Sequence, residues 1–297
     1  MNSIMIQGTS SGAGKTILVA ALCRILSNMG YNVAPFKSQN MSSRSYTTDS
    51  GLEISVAQAV QAVAARCEIT PELNPILLKP DGNSSSTIYL EGTKYGRMDA
   101  RRYYEEFVLH EGLSAAAEAL ASLRRKFDMV VLEGAGSPAE INLKQYDIAN
   151  MRMARLAEAP VILVADIDRG GSFAAQIGTM ALLPLKDMKR VGGFVMNKFR
   201  GDPEVLEPGL TKLTEMTEVP VIGVLPMLDL SCLPDEDSLD AVYKNDCNDA
   251  DNDNKSNVAR RWQSGEPPAC MDECLEMLAD AVDKNLDIDL IMKMINR

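Results

Sequence analysis

Histidine is almost absent from this chain: His110 is the only one in 297 residues. Imidazole-based zinc sites and Cys–His nucleophile pairs therefore lack their usual partner. Cysteine is sparse too. Cys23, Cys67, Cys232, Cys247, Cys270 and Cys274 are too few for a disulfide scaffold at this length, and the Cys270–Cys274 spacing has no second pair to complete a metal site. Ordinary reduced thiols in a reducing cytoplasm are expected, and no secretory segment follows Met1. Positive charge is in deficit, with 30 Lys and Arg against 41 Asp and Glu for a net charge of -11. Nucleic-acid and membrane-surface partners need extended basic faces, so neither is expected, although local phosphate pockets remain open. No run approaches the roughly 18 apolar residues of a membrane span.

What is present points to a globular enzyme. With 46% hydrophobic residues the chain can bury a sizeable core, as one large domain or two small ones. Short apolar runs at Ser3 to Gln7, Asn32 to Phe36, Met129 to Glu133, Pro160 to Asp166, Gly193 to Asn197 and Val219 to Leu225 alternate with longer helical patterns. The helical stretches are Lys15 to Met29, Glu53 to Cys67, Ala100 to Lys126, Asp147 to Leu156 and Phe173 to Leu183. The pattern predicts an α/β fold of the doubly wound P-loop NTPase type, its mostly parallel sheet covered by helices on both faces. One ATPase domain is expected over residues 1–240, a polar linker over 241–270 and a helix over 271–297. The linker assignment rests on Lys244 to Ser256, KNDCNDADNDNKS, which has too little apolar surface to offset the entropy of ordering.

The strongest motif is GTSSGAGKT, Gly8 to Thr16, between an apolar strand and a helix. Small residues let the backbone N–H groups of Thr9, Ser10, Ser11, Gly12, Ala13 and Gly14 turn inward on phosphate oxygens, and the helix N-terminus adds positive potential. Lys15 would reach the terminal phosphates of ATP and the Thr16 hydroxyl would ligate Mg2+. Glu133, ending the run FDMVVLEGAG, is the expected metal-side carboxylate, with Asp49 a weaker second. Switch ATPases of the chromosome-partitioning type, which act on a protein partner, share this architecture. They carry an extra loop lysine where this chain has Ser10.

Further stretches narrow the family. APFKSQNM (Ala34 to Met41), NPILLKP (Asn74 to Pro80), EGAGSPAEINL (Glu133 to Leu143), DIANM (Asp147 to Met151), VADIDRGGSFA (Val164 to Ala174), GFVMNKFRGD (Gly193 to Asp202) and LPDEDSL occur in one order. From Ser3 to about Leu239 the chain resembles the N-terminal ATPase domain of cobyric acid synthases, within the dethiobiotin-synthetase-like P-loop group. The resemblance implies ATP-dependent amidation of carboxylates on adenosylcobyrinic acid a,c-diamide through acyl-phosphate intermediates. Lys15, Lys37 and magnesium would offset charge on the phosphoryl group in flight. Asn197 would read the adenine edge. Gln39, Asn40, Glu140, Asn142, Asp168 and Arg169 would face the corrinoid or a related tetrapyrrole. The sibling cobyrinic acid a,c-diamide synthases and dethiobiotin synthetases are the neighbouring alternatives. Full-length cobyric acid synthases continue into a glutaminase domain. Here only about 60 residues follow Leu239 and no histidine lies among them. Ammonia is therefore expected from a separate source, either free or from a glutaminase subunit that could dock on the Met271 to Asn296 helix. Packing of that helix on its own domain is the other expectation, and the resemblance leaves room for a homodimer.

Overall fold

Strands β1 (Ser3–Gly8), β2 (Val33–Phe36), β9 (Met129–Glu133), β10 (Val161–Asp166), β11 (Val191–Phe199) and β12 (Val221–Pro226) form one 6-stranded parallel sheet, in the order β12-β11-β10-β1-β9-β2. This computed structural model describes residues 2–82, 84–228, 230, 232–234 and 262–296. Every residue of β1, β2, β9 and β10 is buried, which is why these strands read as unbroken apolar runs rather than alternating ones. The order reverses at β1, so the loops leaving β1, β9 and β10 diverge around a crevice at the carboxyl ends of the strands. Helices α1 (Lys15–Asn28) and α2 (Val56–Ala65) pack on each other and on the β2 side of the sheet, while α6 (Ser172–Leu182) packs on β10. The expected α/β architecture is present, and among the described residues no helix is long and apolar enough to cross a membrane.

Several local expectations are corrected. In the stretch Glu53 to Cys67 the first residues pair as strand β5 (Glu53–Ser55) with β4 (Ser45–Thr47), and the helix begins only at Val56 because the Ser55 hydroxyl caps it through the Ala57 N–H. Asp147 does not enter a helix. Its carboxylate accepts from the N–H groups of Ala149, Asn150 and Arg152, so α5 (Met151–Leu156) starts after it. Ala100 to Lys126 is helical in three pieces: α3 (Ala100–Arg102), a π-helical turn run Tyr103–Gly112, and α4 (Leu113–Lys126). The chain also holds α7 (Leu185–Met188) and α8 (Glu207–Thr217), which the periodicity did not single out.

A second sheet was not foreseen. Strand β3 (Gln39–Met41) pairs in parallel with β6 (Ile76–Gly82), which continues antiparallel through β7 (Ser85–Leu90) and β8 (Thr93–Asp99). It rests on its own small core of Ile76, Leu78, Ile88, Tyr103, Phe107, Val108 and Ile148.

At the C-terminal end, the expected helix Met271 to Asn296 is two helices, α9 (Ala269–Asn285) and α10 (Ile288–Ile295), with Asp287 capping the second through the Leu290 N–H. The apolar stripe of α9, including Met271, Leu275, Leu278 and Val282, is buried against α1, so it is not a free docking face. Gly223 in β12 permits the close approach of its end, since a Cβ there would lie 2.0 Å from the Asn285 carbonyl oxygen. Cys274 of α9 is bonded to Cys232, with Cα atoms 6.2 Å apart. This corrects the expectation of reduced thiols: the pair is 42 residues apart in sequence, and only folding brings it within disulfide reach. Cys23 and Cys67 remain thiols, and burial pushes the Cys67 thiol up to about 12. Cys247 and the Lys244 to Ser256 stretch lie outside the described residues.

Candidate functional site

The loop after β1 is built to take a polyphosphate. Gly12 and Gly14 adopt φ of 70° and 99°, values that side chains disfavour, and a Cβ on Gly14 would lie 1.9 Å from the Asn197 amide nitrogen. Helix α1 opens at Gly14 with no side-chain cap, leaving its first N–H groups directed into the loop. Lys15 bends back over this loop, its ammonium donating to the carbonyls of Ser10 at 2.8 Å and Gly136 at 3.1 Å. It thereby joins the β1 loop to the loop that follows β9.

Directly beneath, Glu133 at the end of β9 is the hub of a buried network. Its carboxylate accepts from the Thr16 hydroxyl at 2.8 Å, the Lys37 ammonium at 2.6 Å and the Gln61 amide at 2.6 Å, with Gln58 at 3.3 Å. Burial alone would raise the Glu133 pKa, but the Lys37 charge and the bonds from Lys37, Gln61 and Thr16 outweigh it and hold the carboxyl below its ordinary range. Thr16 Oγ1 and Glu133 Oε1 therefore stand side by side as two hard oxygen donors, the set a magnesium ion takes from a protein while keeping phosphate and water ligands. Among the described residues there is no group of three or more His, Cys, Asp or Glu for an all-protein cage, and a magnesium bound with nucleotide does not require one.

From this hub a cleft of about 440 Å3 opens past Ser11, Gly136 and Ser137, between Gln39 on one wall and Glu140 and Lys144 on the other. Its floor is fixed by Asn150, whose amide donates to the Ala135 carbonyl at 2.7 Å; a Cβ on Gly134 would fall 2.3 Å from the Asn150 oxygen. Residues 4–238 match the family described as the CobQ/CobB/MinD/ParA nucleotide binding domain. The chain belongs to that family. It is 54% identical over 237 residues to the cobyric acid synthase of Sorangium cellulosum, covering 80% of this chain and 45% of that protein. It is 52% identical over 235 residues to a probable cobyric acid synthase of Methanothermobacter thermautotrophicus, covering 79% and 46%. The chain thus spans about half the length of the curated relatives it matches. Among solved structures it is similar to the signal recognition particle receptor FtsY of Elizabethkingia anophelis at 16% identity and a TM-score of 0.45, covering 75% of this chain and 58% of that one. That likeness is too loose to bear on function.

Within this family framework the remaining expected residues divide into two places. Asn197, in the last part of β11, donates to the Ala13 carbonyl at 2.9 Å and accepts from the Lys198 N–H, so it braces the phosphate loop and keeps one amide hydrogen and one lone pair for a ligand. Lys198 beside it, at a φ of 62°, bridges the Gly12 carbonyl and Asp166, each at 2.7 Å. Asp168 and Arg169, expected to contact substrate, are exposed and paired with Arg200 and Asp166, and are not among the residues lining the Gln39–Glu140 cleft. Gln39 and Glu140 do line the cleft.

Asn40 does not line the cleft: it is buried and donates to Ser55 at 2.7 Å and to Gln58 at 3.1 Å, supporting the Glu133 network from behind. Asn142 is exposed and outside the cleft lining. Asp49 sits in the exposed turn between β4 and β5, beside Tyr46, and is not among the groups bonded to Glu133. Gln58, Gln61 and Lys198 escaped sequence reading. The only available signal was two glutamines one turn apart on the otherwise apolar helix VAQAVQAVAA, which a buried acceptor nearby would explain.

Proposed function

We propose that this chain uses ATP to activate side-chain carboxylates of a corrinoid and passes them to ammonia, as in the conversion of adenosylcobyrinic acid a,c-diamide to cobyric acid. The observation that carries the reading is the bonded set of Lys15, Thr16, Lys37 and Glu133 around the phosphate loop, joined to the Gln39–Glu140 cleft by the Lys15 bond to Gly136 in the cleft lining. A carboxylate is a poor electrophile. Transfer of the terminal phosphoryl group to it makes phosphate the leaving group when ammonia attacks, and the protein's part is positioning and charge neutralisation. Lys15 covers the loop where that phosphoryl group would lie, and Lys37, just after β2, is paired with Glu133, the carboxylate that also takes the Thr16 hydroxyl. Thr16 and Glu133 would hold magnesium, which when bound neutralises phosphate charge. Gln39 and Glu140 would meet the substrate's polar arms, and Asn197 would select adenine with its remaining donor and acceptor.

Ammonia is assigned to a separate source, free or released by a glutaminase subunit. His110 is exposed on the π-helical run, and Cys274 is tied to Cys232. The test is mass spectrometry after incubating the purified protein with ATP, magnesium, ammonium and the a,c-diamide. The expected result is stepwise exchange of carboxyl for amide, with no product when glutamine replaces ammonium. ATP turnover without any corrinoid product would overturn the reading.

A further inference from the structure

The cleft does not end at Gln39. A second cavity of about 240 Å3 adjoins it and shares Gln39, Met41 and Tyr104 with it. The two differ in chemistry. The first mixes charged and amide groups such as Glu140, Lys144 and Asn150 with apolar walls, whereas the second, although Ser84 to Ser86 and Asp99 also line it, presents an almost wholly apolar surface that includes Leu78, Ile88, Met98, Tyr103 and Tyr104, on the four-stranded sheet and the π-helical run. Nothing in carboxylate activation needs this apolar annex. A ligand that carried both acidic arms and a large nonpolar frame would need both cavities at once.

Gln39 stands at the junction with a fixed orientation. Its side-chain oxygen accepts from the Tyr103 hydroxyl at 2.6 Å, which leaves the amide N–H groups to be presented to the cleft. Tyr103 is held for this by stacking on Phe107 and by an edge contact with Tyr104. Burial keeps its hydroxyl protonated, and so a donor, across the whole working range of pH. A π-helical segment that presents such groups is a recurrent feature of ligand sites. Met41, half exposed, forms a soft apolar lip common to both cavities.

We propose that the annex seats the methyl-bearing rim of a tetrapyrrole macrocycle, and that Gln39, oriented by Tyr103, donates to an acyl oxygen of the arm that enters the cleft. This rests on the corrinoid reading above, and deepens it by separating recognition of the frame from activation of the arm. The frame is bound by apolar contact and the arm by a polar donor, so the two contributions are separable by mutation.

The experiment measures equilibrium binding of adenosylcobyrinic acid a,c-diamide in the absence of ATP, through its visible absorbance, with ATP affinity measured in parallel as the check on folding. Met98 is only partly buried, so a charge there is tolerated by the fold. Met98→Glu should weaken corrinoid binding at least about tenfold, since a charge in an apolar seat is costly, while Met98→Leu restores it and ATP affinity stays constant. Tyr103→Phe keeps the ring but releases the Gln39 amide, and should weaken that binding about two- to tenfold, the value of one neutral hydrogen bond, and raise the corrinoid KM by a similar factor in the separate amidation assay with little change in kcat. Wild-type protein that binds no corrinoid sinks the functional reading itself. Wild-type binding that survives Met98→Glu and Tyr103→Phe unchanged, or a change of oligomeric state in Met98→Glu without loss of corrinoid affinity, overturns the annex alone.

Discussion

Lys37 and Arg24 are both cations withdrawn from water, and each is met by carboxylate, yet the two arrangements are built differently. The Lys37 and Glu133 side chains are 5% and 0% exposed, and Thr16, Gln58 and Gln61 complete the carboxylate's bonding. Arg24 is 0% exposed, but its partners Asp272 and Glu276 are 64% and 39% exposed, and two more of its N–H groups go to the Ala64 and Val63 carbonyls. The Arg24 cluster fastens α9 to α1 and α2 at a helix rim, where water still screens the acids. The Lys37 pair surrenders the solvation of both charges, a cost that its mutual attraction only roughly offsets. An apolar pair of the same volume would stabilise the fold as well. What the ion pair adds is a fixed negative oxygen beside Thr16 and a fixed positive charge beside the phosphate loop.

Four measurements sharpen or break that contrast. The largest effect is expected at Lys15→Ala, which should lower kcat by about 10^2 to 10^3-fold or more by removing charge stabilisation made in the transition state; near-normal ATP turnover in that variant would refute the phosphate-loop reading. Next is Lys37→Met, which strands Glu133 in the interior and should cost about 3–5 kcal/mol in denaturant unfolding. Adding Glu133→Gln to it should recover part of that stability and none of the activity, whereas simple additivity would show that the two groups are not coupled.

Reduction of the Cys232–Cys274 bond, or Cys274→Ser, should lower stability by about 2–4 kcal/mol through the longer loop freed in the unfolded chain. Turnover of the folded protein should not change, because the bond lies on the α9 side of the molecule, and a loss of activity at temperatures well below unfolding would contradict this.

The smallest effects separate the two clusters by pH. The folded Glu133 pKa lies below the ordinary 4.5, so the stability it contributes is complete above that value and is lost as pH falls through the folded pKa. Acid unfolding of the wild type should steepen below about 4.5, and Glu133→Gln should flatten that limb. Glu276 is lowered as well, first by its bond from Asn28 and then by Arg24 and Arg66, but solvent screens it, and Glu276→Gln should change stability by at most about 1 kcal/mol. An equally large effect from both variants would erase the distinction between the clusters.

The parts legible in sequence share a physical cause. Strands β1, β9 and β10 are buried on both faces, so their composition had to be apolar throughout, and the phosphate loop needs small residues and a Lys–Thr pair whatever surrounds it. The four-stranded sheet was hidden in part because β8, TKYGRMD, is largely exposed and its residues carry no core pattern. Gln58 and Gln61 were hidden for a related reason. Their helix spacing is ordinary, and their importance comes from facing a carboxylate more than 70 positions away, at separations of 75 and 72 residues.

Local chemistry by itself therefore determined the apolar strands and the phosphate-loop motif with its Lys15–Thr16 pair, and it marked Glu133 as a strand-end carboxylate, whereas Lys37 was marked only by the family resemblance. Only the tertiary structure decided that Lys37 and Glu133 would be partners 96 positions apart, that Asn40 would turn inward and Gln39 outward, and that Cys232 would reach Cys274. The ion pair and the disulfide depend on which distant segments packing brings together, and the Gln39–Asn40 alternation on which face of β3 the rest of the fold covers. That is a property of long-range packing, and no window of neighbouring residues encodes it.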